Sequence, residues 1–83
     1  MASVIDPERH ADLIEKQLAV FRADAELQGF TGDDGERPAM RERLRQAAAA
    51  KDAALEESGL VTEHGWYTAE QDLKRAARAA ERS

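Results

Sequence analysis

Between Pro7 and Gln28, apolar residues recur at helical intervals. Ala11, Ile14, Leu18, Phe21 and Ala25 follow alternating steps of three and four, which places them on one stripe of an α-helix. Leu13, Val20 and Leu27 form a second row beside it at seven-residue spacing. Together the rows span close to half of the cylinder, wider than one small neighbour occupies. Asp6 offers a side-chain acceptor to the free amides of the first turn, and Pro7 sits where its missing N–H costs nothing. Gly29 reads as a left-handed stop, with Phe30 folding back over the last turn.

The stretch 31–37, Thr-Gly-Asp-Asp-Gly-Glu-Arg, reads as a flexible acidic turn. Pro38 then opens a second helix that extends to about Ser58. Met40, Leu44, Ala47 or Ala48, and Leu55 give it a thin apolar stripe, and the run Ala47 to Ala50 gives it high helix propensity. Gly59 and Leu60 repeat the glycine-stop pattern. Residues 60–68 have strand-like composition and read as an ordered loop, with a minimal β-ribbon turning at His64 and Gly65 as the alternative. Thr68 and Gln71 have capping-box spacing for a third helix, Ala69 to about Glu81, whose one large apolar residue is Leu73. The expectation is a single all-α domain of three helices, the third docked through Trp66 and Leu73.

Composition narrows what such a domain does. Lys and Arg total 12 against 17 Asp and Glu, so the net charge is −5, and there is no Cys. A disulfide scaffold and a thiolate zinc site are excluded. No apolar run approaches the ~20 residues that span a bilayer, and no basic segment followed by an apolar one opens the chain. A cytoplasmic protein without a membrane segment is expected. Residues 1–30 carry six acids and three bases, 31–37 three acids and one base, and the two later helices balance four against four. The net negative charge therefore lies in the first helix and its turn.

The residues do not assemble a catalytic or metal constellation. His10 and His64 are far apart with no second His or Cys at ligand spacing, and both read as surface or turn residues. Asp33, Asp34 and Glu36 lack calcium-loop spacing. Ser3, Ser58 and Ser83 stand at a terminus, a helix end and the last position, and no glycine-rich phosphate cradle occurs. No enzyme, no cofactor and no metal are expected. Arg37, Arg41, Arg43 and Arg45, with Lys74, Arg75, Arg78 and Arg82, raise DNA binding by the second and third helices as an alternative. The link of about nine residues exceeds a helix-turn-helix turn, and Glu42, Glu70 and Asp72 interrupt the basic faces.

Protein binding is the class that the pattern favours. The apolar face of the first helix exceeds what Leu44, Leu55, Leu60 and Leu73 cover, and Trp66 and Tyr67 are types enriched at interface anchors. A plug in the three-helix core is the competing role for Trp66. The same apolar face would serve a homodimeric helical bundle as a second alternative.

The segment Asp24-Ala25-Glu26-Leu27-Gln28-Gly29-Phe30, a second helix, and then Tyr67-Thr68-Ala69-Glu70-Gln71 resemble the small bacterial antitoxins that inhibit Fic-domain adenylyltransferase toxins. In that family an inhibitory helix ends in a Ser/Thr, three residues, Glu-Gly pattern, whose glutamate pairs with a toxin arginine and blocks productive ATP binding. Asp24 stands here at the hydroxyl position, Gln28 at the glutamate and Gly29 at the glycine, so only Gly29 matches strictly. Gln28 cannot form the ion pair, and Glu26 points about 160° away around the helix. The tail from Glu63 to Arg82 is similar to the toxin-wrapping ends of other small antitoxins. The resemblance implies an inhibitor that blocks a toxin, and the acidic first helix with its apolar stripe suits a partner with a basic surface. The residues expected to meet it are Leu13, Val20, Asp24, Leu27, Gln28, Gly29 and Phe30 of the first helix, with Trp66 and Tyr67.

Overall fold

Helical order begins at Asp6, whose Oδ1 accepts from the backbone N–H of Glu8 and Arg9 at 2.9 and 3.3 Å. These two bonds hold its carboxyl below the usual aspartate range. His10 Nδ1 accepts from the Asp6 N–H at 2.9 Å, and residues 7–10 form a turn that leads into α1, Ala11–Gly29. The computed structural model describes residues 2–82, so Ser83 lies outside the described residues. After α1 the chain makes a short 3-10 turn, Asp34–Glu36, in which Asp33 Oδ1 accepts from the Gly35 N–H. Three further helices follow: α2, Arg37–Glu57; α3, Leu60–His64; and α4, Trp66–Glu81. The expected all-α domain is what forms, with one short helix added between the second and third.

That short helix replaces the ribbon considered for residues 60–68. Gly59 adopts φ +85°, which reverses the chain at the end of α2. Its carbonyl then accepts from the Glu63 N–H at 3.0 Å, and Val61 accepts from Gly65 at 2.8 Å. Local bonds thus satisfy a backbone that, as a strand, would have had no sheet to join. Ser58 ties the reversal, its Oγ donating to the Leu55 carbonyl at 2.6 Å and accepting from the Leu60 N–H at 3.2 Å. Gly65, at φ +87°, makes the second bend, and α4 starts at Trp66 rather than after Thr68. The Thr68–Gln71 capping box is therefore not used, because Thr68 already lies inside the first turn. Gly29 also departs from expectation: it is the last residue of α1, has no positive φ, and the chain leaves through an extended Phe30.

The core lies at one end. α1 and α2 form an antiparallel hairpin, and α4 lies across it, reaching Lys51 of α2 with its first turn and Phe21 of α1 with its last. Leu55, Ala69, Leu73 and Ala77 have no exposed surface, and Ile5, Leu13, Ile14 and Leu60 complete the buried set. Ala69, Leu73 and Ala77 recur every four residues, so α4 turns one narrow row inward and packs chiefly on α1 and α3. Leu13 thus belongs to the core and not to a spare outer row, while Ala11 and Ala25 face solvent. The inward stripe of α1 runs through Leu13, Ile14, Gln17, Leu18 and Phe21. From Leu18 to Ala50 no residue is buried. Beyond Phe21, which the last turn of α4 reaches, the hairpin consists of two helices alone, and the molecule measures 44 × 27 × 18 Å.

Candidate partner-binding site

The sequence-predicted binding residues divide between the two ends. At the core end stand Trp66, 36% exposed, and Tyr67, 76% exposed. Both follow from the early start of α4: the first turn carries them outward, while Ala69 and Leu73 take the inward positions. Trp66 is held at the edge by Lys51, whose Nζ lies 5.6 Å from its ring centroid. Leu73 docks α4 in the core, and Trp66 meets α2 at the edge.

Tyr67 borders an open groove of about 1050 Å³ between the N-terminal segment, the end of α3 and α4. Val4, Ile5, Pro7 and Ala76 supply apolar lining, and His64, Asp72 and Arg75 a polar rim. Asp72 fixes one wall, accepting from the Val4 N–H at 3.0 Å while Arg75 Nη1 approaches its other oxygen at 3.4 Å. His64 Nε2 lies 3.7 Å from Glu63.

Beneath Trp66 sits a charged cluster that sequence reading did not single out. Lys51 is 5% exposed, and its Nζ lies 2.8 Å from Asp52 and 3.0 Å from Glu70, with Lys74 at 3.5 Å from the other Glu70 oxygen. Burial lowers the Lys51 pKa, but the two carboxylates outweigh it and the net shift is upward. Burial likewise raises that of Glu70, and the bond and charge of Lys51, with Lys74, reverse this into a net lowering. The cluster fastens α4 to α2. A lysine four residues before a buried leucine on the thin stripe of the second helix was the available signal. Gln17, 1% exposed, is a second buried polar residue, and its Oε1 has no hydrogen-bond partner among the described residues.

At the hairpin end, Asp24, Gln28 and Gly29 are exposed, while Val20, Leu27 and Phe30 are half-buried together with Met40 and Leu44 of α2. Arg37 closes the tip, with Nη2 donating to the Phe30 carbonyl at 3.2 Å and the guanidinium 5.6 Å from the ring. Lys51 lies fourteen residues along α2 from Arg37, or roughly 21 Å, so Trp66 and Phe30 cannot belong to one compact contact patch. None of the charged side chains of α1 takes part in an ion pair among the described residues. Several basic residues of the later helices are engaged: Arg45 with Glu42, Lys74 with Glu70, and Arg75 with Asp72.

Neither histidine joins a metal-ligand cluster, and no group of three or more His, Cys, Asp or Glu suited to a metal ion occurs among the described residues. The hydroxyls of Ser3 and Ser58 are committed to backbone groups at 3.1 Å and 2.6 Å. No helix among the described residues is long and apolar enough to cross a membrane. No protein-family model, no curated protein and no solved structure matches the chain.

Proposed function

We propose that the protein is a non-enzymatic, cytoplasmic protein-binding module whose main contact surface is the Trp66–Tyr67 edge of α4 and the groove beside it. One observation carries this reading: the only Trp and the only Tyr of the chain stand adjacent and exposed, although burying either would stabilise so small a domain. Trp and Tyr are the side chains most enriched where a partner fills a pocket, and a partly apolar groove with a charged rim is the usual anatomy of such a patch. Its most concrete form is a small inhibitor that blocks another protein sterically, as the antitoxin resemblance implies. The acids Asp12 and Glu15 in the first turns of α1, without an ion pair among the described residues, favour a partner with a basic surface.

Affinity capture from the native host, with wild-type protein beside Tyr67→Ser and Trp66→Ser, tests the assignment. Wild type should retain a specific protein, and Tyr67→Ser should retain about tenfold less with an unchanged circular dichroism spectrum. Equal retention by wild type and both variants, or no specific protein at all, refutes it.

A further inference from the structure

We infer that the far half of the α1–α2 hairpin is the interface for a second copy of this chain, which packs on the side turned away from α4. This surface lies at the opposite end from the Trp66–Tyr67 edge and does not depend on what that edge binds.

Three observations converge on it. The accessible surface is 5743 Å², about 800 Å² more than the roughly 4,900 Å² expected of a compact monomer of this mass. The radius of gyration is 14.0 Å, against about 12 Å for a compact domain of this length. An excess of that size matches the ~800 Å² each partner contributes to a standard stable interface. Its location is the hairpin half in which no residue from Leu18 to Ala50 is buried.

The open side follows from the position of α4. Arg78 of α4 stacks on Phe21 at 4.5 Å, and Ala23 and Glu26 lie about 160° and 140° around α1 from Phe21. A shallow groove lined by Lys16 of α1 and Ala54 of α2 marks the same side. From Ala54, seven-residue steps lead to Ala47 and Met40, both half-buried. The short side chains let a second helix pair approach closely, and α4 does not stand in its way.

Charge selects the occupant. Glu26 lies beside Ala23 on α1 and Arg43 beside Met40 and Ala47 on α2, and neither forms an ion pair among the described residues. Arg37 bonds to Phe30 across the tip, so these residues share a level. Counting back along both helices puts Glu26 and Arg43 about 3 Å apart in height. A two-fold axis parallel to the hairpin preserves height and exchanges the helices, bringing Glu26 of each copy to Arg43 of the other. Such a face is its own complement, as a two-fold interface requires.

Sedimentation of the full chain tests this, with Glu26→Arg, Arg43→Glu, their combination and Tyr67→Ser measured beside wild type. Wild type should form a dimer with rising concentration, and each charge reversal should raise the dissociation constant about tenfold with helicity unchanged. Combining the two should return it to within about threefold of wild type, and Tyr67→Ser should leave it unaltered. A wild-type monomer at concentrations on the order of 100 µM overturns the inference. So does a dimer indifferent to both reversals, a double variant no tighter than the single ones, or a dimer dispersed by Tyr67→Ser.

Discussion

The two ends of the α1–α2 hairpin are built from the same helices and much the same residue types, yet only one is a core. At the near end Leu13, Ile14 and Leu55 are buried because α3 and α4 close over them. At the far end Val20 and Leu27 of α1 and Met40 and Leu44 of α2 have no third layer over them, and none is buried. The alanines make the same contrast. Ala69 and Ala77 are completely covered, because their size lets α4 sit close, whereas Ala49 and Ala50 remain exposed with nothing laid on them. Burial here is set by whether a third layer arrives, and side-chain hydrophobicity alone does not predict it.

The largest test of that contrast is truncation at the two ends. Leu55→Ala or Leu73→Ala should cost about 2–5 kcal/mol, enough to unfold much of a domain whose whole stability is on the order of 5 kcal/mol. Leu27→Ala or Leu44→Ala should cost about 1 kcal/mol at low micromolar concentration, since these side chains surrender less burial. Urea midpoints followed by circular dichroism compare them directly. Equal losses at both ends would erase the distinction. A distal loss that grows with protein concentration would sharpen it, because burial there would then come from a second chain.

Lys51 is the next lever, because it sits where the two-helix seam becomes the three-helix core. Lys51→Ala leaves Glu70 without its main partner and removes the cation from the Trp66 ring. The expected loss is about 1–3 kcal/mol, below that of a fully buried pair because Glu70 and Asp52 keep contact with solvent. The pH dependence has a definite sign. Glu70 titrates below its ordinary value of 4.5 in the folded chain, so its contribution is present above pH 4.5 and disappears as pH falls through the lowered value. Lys51 is raised above 10.5, so its contribution holds below pH 10.5 and disappears as pH rises through the raised value. Urea midpoints of wild type should fall at both extremes, and Lys51→Ala should flatten both limbs. An unchanged acid limb would mean that Glu70 does not depend on Lys51.

These residues also show how far the chain was legible. The helices of the hairpin were readable because Asp6, Pro7, Pro38 and Gly59 act through local backbone chemistry that needs no tertiary partner. The observed inward face of α1 is turned by about 40° from the expected stripe, because Ala11 and Ala25 fit the stripe but carry too little area to compete with Leu13 for the core. The helical state of residues 60–64 was hidden: Val61 and Thr62 favour strands, and a short helix between two positive-φ glycines is stabilised by Leu60 reaching the core. At the candidate site Trp66 and Tyr67 were identifiable by type. Their exposure was not, since it follows from α4 starting at Trp66. The outer row expected to be spare is not: Leu13 is buried, Val20 and Leu27 are half-buried, and the large apolar side chains left exposed are Trp66 and Tyr67.

The smallest test uses two glycines that look alike in sequence and differ in backbone. Gly59 and Gly29 each follow a helix pattern and precede a large apolar residue, and both read as stops. Gly59 has φ +85°, where a Cβ costs about 1–2 kcal/mol even though open space surrounds it. Gly29 has no positive φ, lies within α1, and an added Cβ would meet nothing within 4 Å. Gly59→Ala should therefore lower the urea midpoint. Gly29→Ala should raise it slightly, by about 0.5 kcal/mol, because alanine loses less backbone freedom on entering a helix. The opposite signs separate a reversal that the core end cannot do without from a helix end that stops only because Phe30 turns into the extended region. A loss from Gly29→Ala comparable to that at Gly59 would mean that the hairpin tip is under a constraint of its own, and that the far end is less open than its burial implies.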